Sequence, residues 1–156
     1  MRREAVVTAL RERARVLYEG RLVPHRSCGI ALAEAFDRGT LAYQALRRGG
    51  LDGEGTCGAV VAGQLLLGEL LGHPDPTAPA AQPLAEAMVR YRAEIARRVE
   101  TGGARSLVCN DLVARFPTFA SDERALFCTG IVAAVAEIVA ELAIDRGSAR
   151  LPPFED

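Results

Sequence analysis

The chain has 156 residues, which is enough for one domain with a hydrophobic core. Its 49% hydrophobic and 25% charged residues, with a net charge of −1, are typical of a soluble globular protein and provide no basic field for nucleic acid. Tryptophan is absent and aromatic residues make up 5%, so base-stacking platforms are not evident, and because all 19 basic residues are arginine, a Schiff-base or P-loop lysine is excluded.

The apolar segments are too interrupted to predict a signal sequence or a membrane span. Arginines at positions 11, 13 and 15 separate the apolar residues near the N-terminus. The longest apolar stretches are broken by glutamates, namely Glu69, Glu137 and Glu141. We therefore predict a cytoplasmic protein with neither a membrane nor a nucleic acid as its partner.

The first third of the chain predicts three helices separated by turn residues. Residues 3–18 have an amphipathic pattern that ends at a glycine. Ser27 is a candidate N-cap for a second helix over about 26–38. A short helix is predicted to follow over 40–48.

A glycine-rich loop, GGLDGEG, follows over 49–55 and leads into an apolar helix. Thr56 is a candidate N-cap, and the helix from Cys57 to about Leu71 has so few polar residues that burial on nearly all sides is expected. Residues 53–58 match G-x-G-x-x-G, but a predicted helix precedes them and no strand follows, so a dinucleotide-binding unit is not predicted. We interpret the loop as a means of placing the Cys57 thiol at a helix N-terminus.

The second half of the chain begins with a proline-rich connection over 73–83 and continues as helix. Helices are predicted over three segments, at 84–100, about 106–115 and about 121–146, with Ser106 and Ser121 as candidate caps. The tail over 147–156 is expected to be loose. Since no strand pattern is present, we predict an all-α, bundle-like domain of about six or seven helices over residues 1–156.

Four cysteines, without a C-x-x-C pair, carry the candidate chemistry: Cys28, Cys57, Cys109 and Cys128. The first three lie near predicted helix N-termini, where unpaired amides and the macrodipole stabilise a thiolate unless the thiol is buried among apolar groups. Apolar residues three and four positions after each cysteine indicate that all four thiols face the core. This pattern fits a shared internal site, and it equally fits four small core residues.

Four segments in this order resemble a known family: CGIALAEAF, CGAVVAGQLLLGELLG, VCNDLVARF and FCTGIVAAVAEIVAELA. Its members are regarded as redox-active and are named for the cysteine pattern C_GCAxxG_C_C, and the resemblance covers most of the chain. The central motif departs from the pattern, because Ala59 is followed by Val60, Val61 and Ala62, and glycine comes only at Gly63. The resemblance implies a redox or metal role for the cysteines and favours electron transfer with a redox protein partner.

The resemblance leaves two mechanisms for the cysteines. Cys28, Cys57, Cys109 and Cys128 would together ligate an iron–sulfur cluster or another thiophilic metal. Alternatively they would cycle between dithiol and disulfide, with Cys57 and Cys28 as redox thiols and Cys57 as the attacking thiolate. No C-x-x-C-H segment is present, so c-type haem attachment is not predicted.

Two other classes of function compete with the redox interpretation. A non-catalytic helical module would keep its cysteines in the core and pack the small-residue helix 57–72 against a partner or a second copy. An enzyme with a cysteine nucleophile would use His25 or His73 as its base, and His25 is the better candidate for a metal ligand or thiol partner because Cys28 is three residues away. Two glutamates of the last helix, Glu137 and Glu141, are interpreted as its polar face.

Overall fold

The computed structural model describes residues 2–154, and the regular structure in this range is helical. Six α-helices and one 3-10 helix follow one another in this order: α1 (Arg3–Glu19), α2 (Cys28–Ala35), the 3-10 helix (Ala42–Leu46), α3 (Gly58–Leu71), α4 (Gln82–Arg98), α5 (Cys109–Val113) and α6 (Asp122–Asp145). No strand forms among residues 2–154, and one isolated antiparallel bridge joins Thr56 and Val108. The prediction of an all-α fold with six or seven helices is confirmed.

The last helix, α6, lies at the centre of the hydrophobic core. It packs along α1 and also contacts α2, α3 and α4. Its fully buried side chains include Val132, Val135, Ile138 and Val139, and Leu10 of α1 is equally buried. Because burying a side chain of this size contributes roughly 1.5–3 kcal/mol, the apolar sequence of α6 stabilises the whole bundle.

Small residues bring α3, α4 and α6 close together. A Cβ atom added at Gly63 of α3 would lie 2.8 Å from Val135 Cγ1 and would overlap the hydroxyl of Tyr91. That hydroxyl donates a 2.6 Å hydrogen bond to the carbonyl oxygen of Val60, which ties α4 to α3. The absence of a side chain at Gly63 therefore allows a buried tyrosine to reach the α3 backbone.

Two serines predicted as helix caps behave differently. The Ser121 side chain accepts a 3.2 Å hydrogen bond from the Arg124 amide, so it caps α6 as predicted. Ser27 occupies the N-cap position of α2, but its side chain makes no capping hydrogen bond. The helix is also shorter than the predicted span of 26–38 at both ends.

The helices that begin near Cys57 and Cys109 start later than predicted. Cys57 itself is the N-cap of α3, so Thr56 lies outside the helix. Val108, rather than Ser106, is the N-cap of α5. The bridge between Thr56 and Val108 pairs the two segments in extended conformation, which postpones the start of each helix.

The segment 148–154, which we expected to be loose, lies against the bundle. Ser148 Oγ donates a 2.8 Å hydrogen bond to the Leu70 carbonyl, and the Arg150 guanidinium donates to two carbonyls near the end of α3, at 2.8 and 3.0 Å. Apolar residues of the segment pack against the core. Residues 155–156 of the predicted tail lie outside the described residues.

Ion pairs cover the face of α6 that carries Glu137 and Glu141. Arg98 of α4 contacts a carboxylate oxygen of each glutamate, at 2.8 Å and 2.5 Å respectively. Arg11 of α1 also pairs with Glu137, at 3.3 Å. These contacts give the two glutamates the polar-face role that the sequence suggested.

By length and composition α6 is able to cross a membrane. It has 24 residues and a mean hydropathy of 2.0 over its most apolar 18-residue window, of which 61% is buried inside the bundle. Core helices of soluble proteins have the same properties, so cytoplasmic location and the absence of a membrane partner stay predictions.

Candidate functional site

All four cysteines line one cavity of about 250 Å³. Cys28 is the first residue of α2, Cys57 is the N-cap of α3, Cys109 is the first residue of α5, and Cys128 lies in the second turn of α6. All four are free thiols. The bundle thus brings together four residues that lie up to 100 positions apart in the sequence.

The glycine loop over 49–55 joins two of these helix starts. The amide of Cys109 donates a 2.9 Å hydrogen bond to the carbonyl of Gly55, and the amide of Asn110 donates one of 2.9 Å to Gly53. Next to it, the amide of Cys57 donates a 2.7 Å hydrogen bond to the carbonyl of Leu107. The loop therefore fixes the position of α5 relative to α3, which places Cys57 and Cys109 at the same cavity.

Two glycines let neighbouring segments approach the thiols closely. A Cβ atom at Gly49, where φ is +60°, would lie 2.6 Å from Cys109 Cβ. A Cβ atom at Gly58 would lie 2.8 Å from Cys28 Sγ and would overlap the carbonyl oxygen of Leu46. Both positions have too little room for a side chain, so glycine is required there by packing around the thiols.

Burial has its largest effect on the thiols of Cys28 and Cys57. Burial raises the pKa of the Cys28 thiol to about 12, and the neighbouring Cys57 thiol adds to the effect. Burial likewise raises the pKa of Cys57, which is 8% exposed, to about 11. The amides of Val60 and Ala59 act in the opposite direction at the start of α3, although Cys57 makes no side-chain capping hydrogen bond. The expected thiolate-stabilising effect of the helix N-terminus is therefore outweighed by burial.

Cys109 and Cys128 face arginines. Nη1 of Arg48 donates a hydrogen bond to Cys109 Sγ over 3.3 Å. Burial raises the pKa of Cys128, and Arg124 followed by Tyr18 acts in the opposite direction. The two guanidiniums also stack on the same ring of Phe119, with distances to its centroid of 4.3 Å for Arg48 and 3.9 Å for Arg124. A guanidinium therefore lies beside each of these two thiols, although burial still raises the pKa of Cys128 on balance.

This arrangement of four cysteines agrees with a known family of sequences. The family described as "Putative redox-active protein (C_GCAxxG_C_C)" matches residues 28–142, a range that begins at Cys28 and includes the other three cysteines. The chain belongs to this family. No curated protein and no solved structure matches the chain.

For this C_GCAxxG_C_C protein, the sequence pointed to His25 as a ligand or thiol partner. His25 lines the cavity, and its Nδ1 donates a hydrogen bond to the carbonyl of Tyr18, whose ring it meets edge-on at 4.9 Å. His73 lies outside the cavity and accepts a 3.0 Å hydrogen bond from the Asp75 amide through its Nδ1, as a local loop cap does. Within residues 2–154, no set of three or more His, Cys, Asp or Glu side chains is arranged as a metal site.

The sequence analysis missed the residues that surround the family's cysteines in the cavity. Arg47, Arg48, Arg124, Tyr18 and Phe119 all line it. Arg124 lies four residues before Cys128 on one helix, so helical spacing was a usable signal for that pair. Arg48 contacts a cysteine 61 residues further along the chain, and no local pattern reveals such a contact.

Proposed function

We propose that this member of the C_GCAxxG_C_C family is a thiol redox protein whose cavity cysteines cycle between dithiol and disulfide. The observation that carries the proposal is the convergence of four free thiols, from four separate segments, on one cavity. The description of the family as redox-active supports the same class of function. Thiols that line one cavity are candidates for intramolecular disulfide formation, which requires two sulfurs to come within bonding distance.

Cys109 is the proposed attacking thiol. Its sulfur lines the cavity and accepts a hydrogen bond from the Arg48 guanidinium, which holds the sulfur in place for attack on a substrate. Cys57 was expected to play this role, but burial raises the pKa of its thiol to about 11 and so disfavours the thiolate. The arginine contact therefore favours Cys109 over Cys57.

The proposed reaction is thiol–disulfide exchange with a substrate disulfide. The Cys109 thiolate attacks one substrate sulfur, a mixed disulfide forms, and the departing thiolate takes up a proton. A second cavity thiol loses its proton and attacks the Cys109 sulfur, which releases the other half of the substrate as a thiol. The protein is oxidised to one disulfide, the substrate disulfide is reduced to two thiols, and the reverse sequence reoxidises the substrate.

A metal centre is a second candidate because of the same convergence, although the four thiols of residues 2–154 are not arranged as a metal site and would have to move closer together to bind one. Four thiols around one cavity are the donor set of iron–sulfur clusters and other thiophilic metals. Cys28, Cys57, Cys109 and Cys128 would hold the group, and a bound cluster would supply one-electron chemistry. The guanidiniums of Arg48 and Arg124 would offset the negative charge of four thiolates.

One purification separates these candidates. The protein is isolated without oxygen, and its metal content, free-thiol count and absorption spectrum are measured on the same sample. Absence of metal, together with loss of two thiols on mild oxidation and their return on reduction, is the expected result. Stoichiometric iron with charge-transfer bands would establish a metal centre instead. Four thiols that resist oxidation in a metal-free sample would indicate that the cysteines are core residues of a helical module without redox activity.

Two variants then test the role of Cys109. Replacement Cys109→Ser should lower the rate of reaction with a neutral disulfide, 2-hydroxyethyl disulfide, at least about tenfold. Cys57→Ser serves as the matched control and should retain the first step, the mixed disulfide, at close to the original rate. Mass spectrometry of the mixed disulfide identifies the attacking residue, and attachment to Cys57 or Cys28 would refute the assignment.

A further inference from the structure

We infer that the thiol cavity takes an anionic substrate, a small molecule whose reactive sulfur lies close to a carboxylate or similar oxyanion. The inference deepens the proposed redox function by naming the substrate class of the same site. It is carried by the charges of the cavity wall and by hydrogen-bond donors that face no acceptor.

The cavity wall carries positive charge without a compensating acid. Arg47, Arg48 and Arg124 line it, whereas no aspartate or glutamate does. None of the three forms an ion pair with a carboxylate of the described residues. In contrast, Arg98, which does not line the cavity, contacts three carboxylates. In a protein of net charge −1, three uncompensated arginines at one cavity produce a local field that attracts anions.

Two of the arginines are held in place by hydrogen bonds and still have N–H groups that are not used in these bonds. Arg124 donates from Nε to the Phe119 carbonyl over 2.6 Å and from Nη1 to the Tyr18 hydroxyl over 2.7 Å. Nη1 of Arg48 donates to Asn110 Oδ1 over 2.9 Å and to a thiol. A guanidinium has five N–H groups, so each side chain keeps donors beyond these contacts. Ser27 Oγ, also in the cavity wall, is buried without a hydrogen-bond partner among residues 2–154.

The size and the remaining wall of the cavity narrow the choice of substrate. A volume of about 250 Å³ is close to the lower end of ligand pockets, which begin at about 300 Å³, so a small molecule or one end of a larger one fits. The side chains of Leu112, Val113, Ile131 and Val132 give the cavity an apolar surface. The substrate therefore has a short apolar body and an anionic group, and its anionic group faces the arginines.

Two alkylating reagents that differ in charge provide the test. Iodoacetate and iodoacetamide have nearly the same size, and only iodoacetate is anionic. The ratio of their rates with the folded protein is divided by the ratio for the same chain unfolded in urea. We expect the quotient to exceed about ten at low salt and to fall as salt is added, because the field of the arginines is screened. A quotient near one would overturn the inference.

The variant Arg47→Gln removes one charge and disrupts no hydrogen bond of the side chain among the described residues, so its fold is expected to be retained. The quotient should fall roughly threefold or more. Arg92→Gln, which removes the same charge from an exposed position of α4 outside the cavity, is the matched control and should leave it unchanged. An equal effect of both substitutions would point to net charge alone and would contradict a local site.

A measurement without reactive chemistry covers the case in which no thiol is alkylated. Benzoate should raise the melting temperature in a saturable way, and Arg47→Gln should weaken this effect. Benzamide, which is neutral, should not raise the melting temperature, and equal effects of the two compounds would count against the inference.

The anion site and the redox function can also be tested separately with disulfides. Equal oxidation by neutral and anionic disulfides would leave the redox function standing without the anion site. An iodoacetate preference with no oxidation by any disulfide would leave the anion site without the redox function.

Discussion

The tight contact at Gly58 predicts that alanine at this helical position lowers the stability of the protein, whereas Gly→Ala in a helix usually raises it. In most helices Gly→Ala stabilises, by up to about 1 kcal/mol, because alanine loses less backbone entropy on folding. At Gly58 the new Cβ would lie 2.8 Å from Cys28 Sγ and overlap the Leu46 carbonyl oxygen. Because that carbonyl belongs to the backbone, it cannot rotate away, and overpacking of this kind costs about 1–3 kcal/mol.

The overpacking outweighs the gain in helix propensity, so we expect Gly58→Ala to lower the free energy of unfolding by about 1–2 kcal/mol. In a chain of this length that corresponds to a fall of about 2–8 °C in the melting temperature. Displacement of the Cys28 sulfur should also speed its alkylation by iodoacetamide, measured by mass spectrometry. Urea unfolding at 25 °C supplies the free energy.

The same helix provides the control. Nothing lies within 4 Å of a Cβ atom added at Gly68, so Gly68→Ala should raise the free energy of unfolding by up to about 1 kcal/mol. Opposite signs at the two glycines are the decisive result. If Gly58→Ala is as stable as the original protein and Cys28 is labelled no faster, the packing argument around the thiols is wrong.

Three further predictions concern titration, capping and helix packing. Burial raises the pKa of Cys28 from 9.0 to about 12 and that of Cys57 to about 11. Because the unfolded chain loses these protons at lower pH than the folded protein, the free energy of unfolding should fall as the pH rises above about 9. Cys57→Ala should make this fall less steep when urea unfolding is measured at several pH values. Ser121→Ala removes a capping hydrogen bond and should cost about 1 kcal/mol. Ser27→Ala removes a buried hydroxyl that has no hydrogen-bond partner among residues 2–154, so it should not lower stability. Equal losses in thermal denaturation would contradict the cap assignment. Gly63→Ala should lower stability by about 1–3 kcal/mol, because its Cβ would displace the Tyr91 hydroxyl from its hydrogen bond, and an unchanged melting temperature would argue against that contact.

The sequence by itself determined the helical elements and the order of the cysteines. Apolar periodicity located the helices, and local chemistry alone identified Ser121 as the cap of α6 and a glycine as the end of α1. Helix boundaries near Cys57 and Cys109 were predicted too early. The reason is the bridge between Thr56 and Val108, which pairs residues 52 positions apart and keeps them extended.

Only the tertiary structure decided the electrostatic environment of each thiol. A helix N-terminus is a local feature, so the sequence favoured Cys57 as a thiolate, but burial by the packed bundle acts more strongly and raises its pKa. The arginine beside Cys109 comes from a loop 61 residues earlier in the chain. Secondary structure follows from interactions over a few residues, whereas desolvation and charge at a site are summed over every neighbour that folding brings to it.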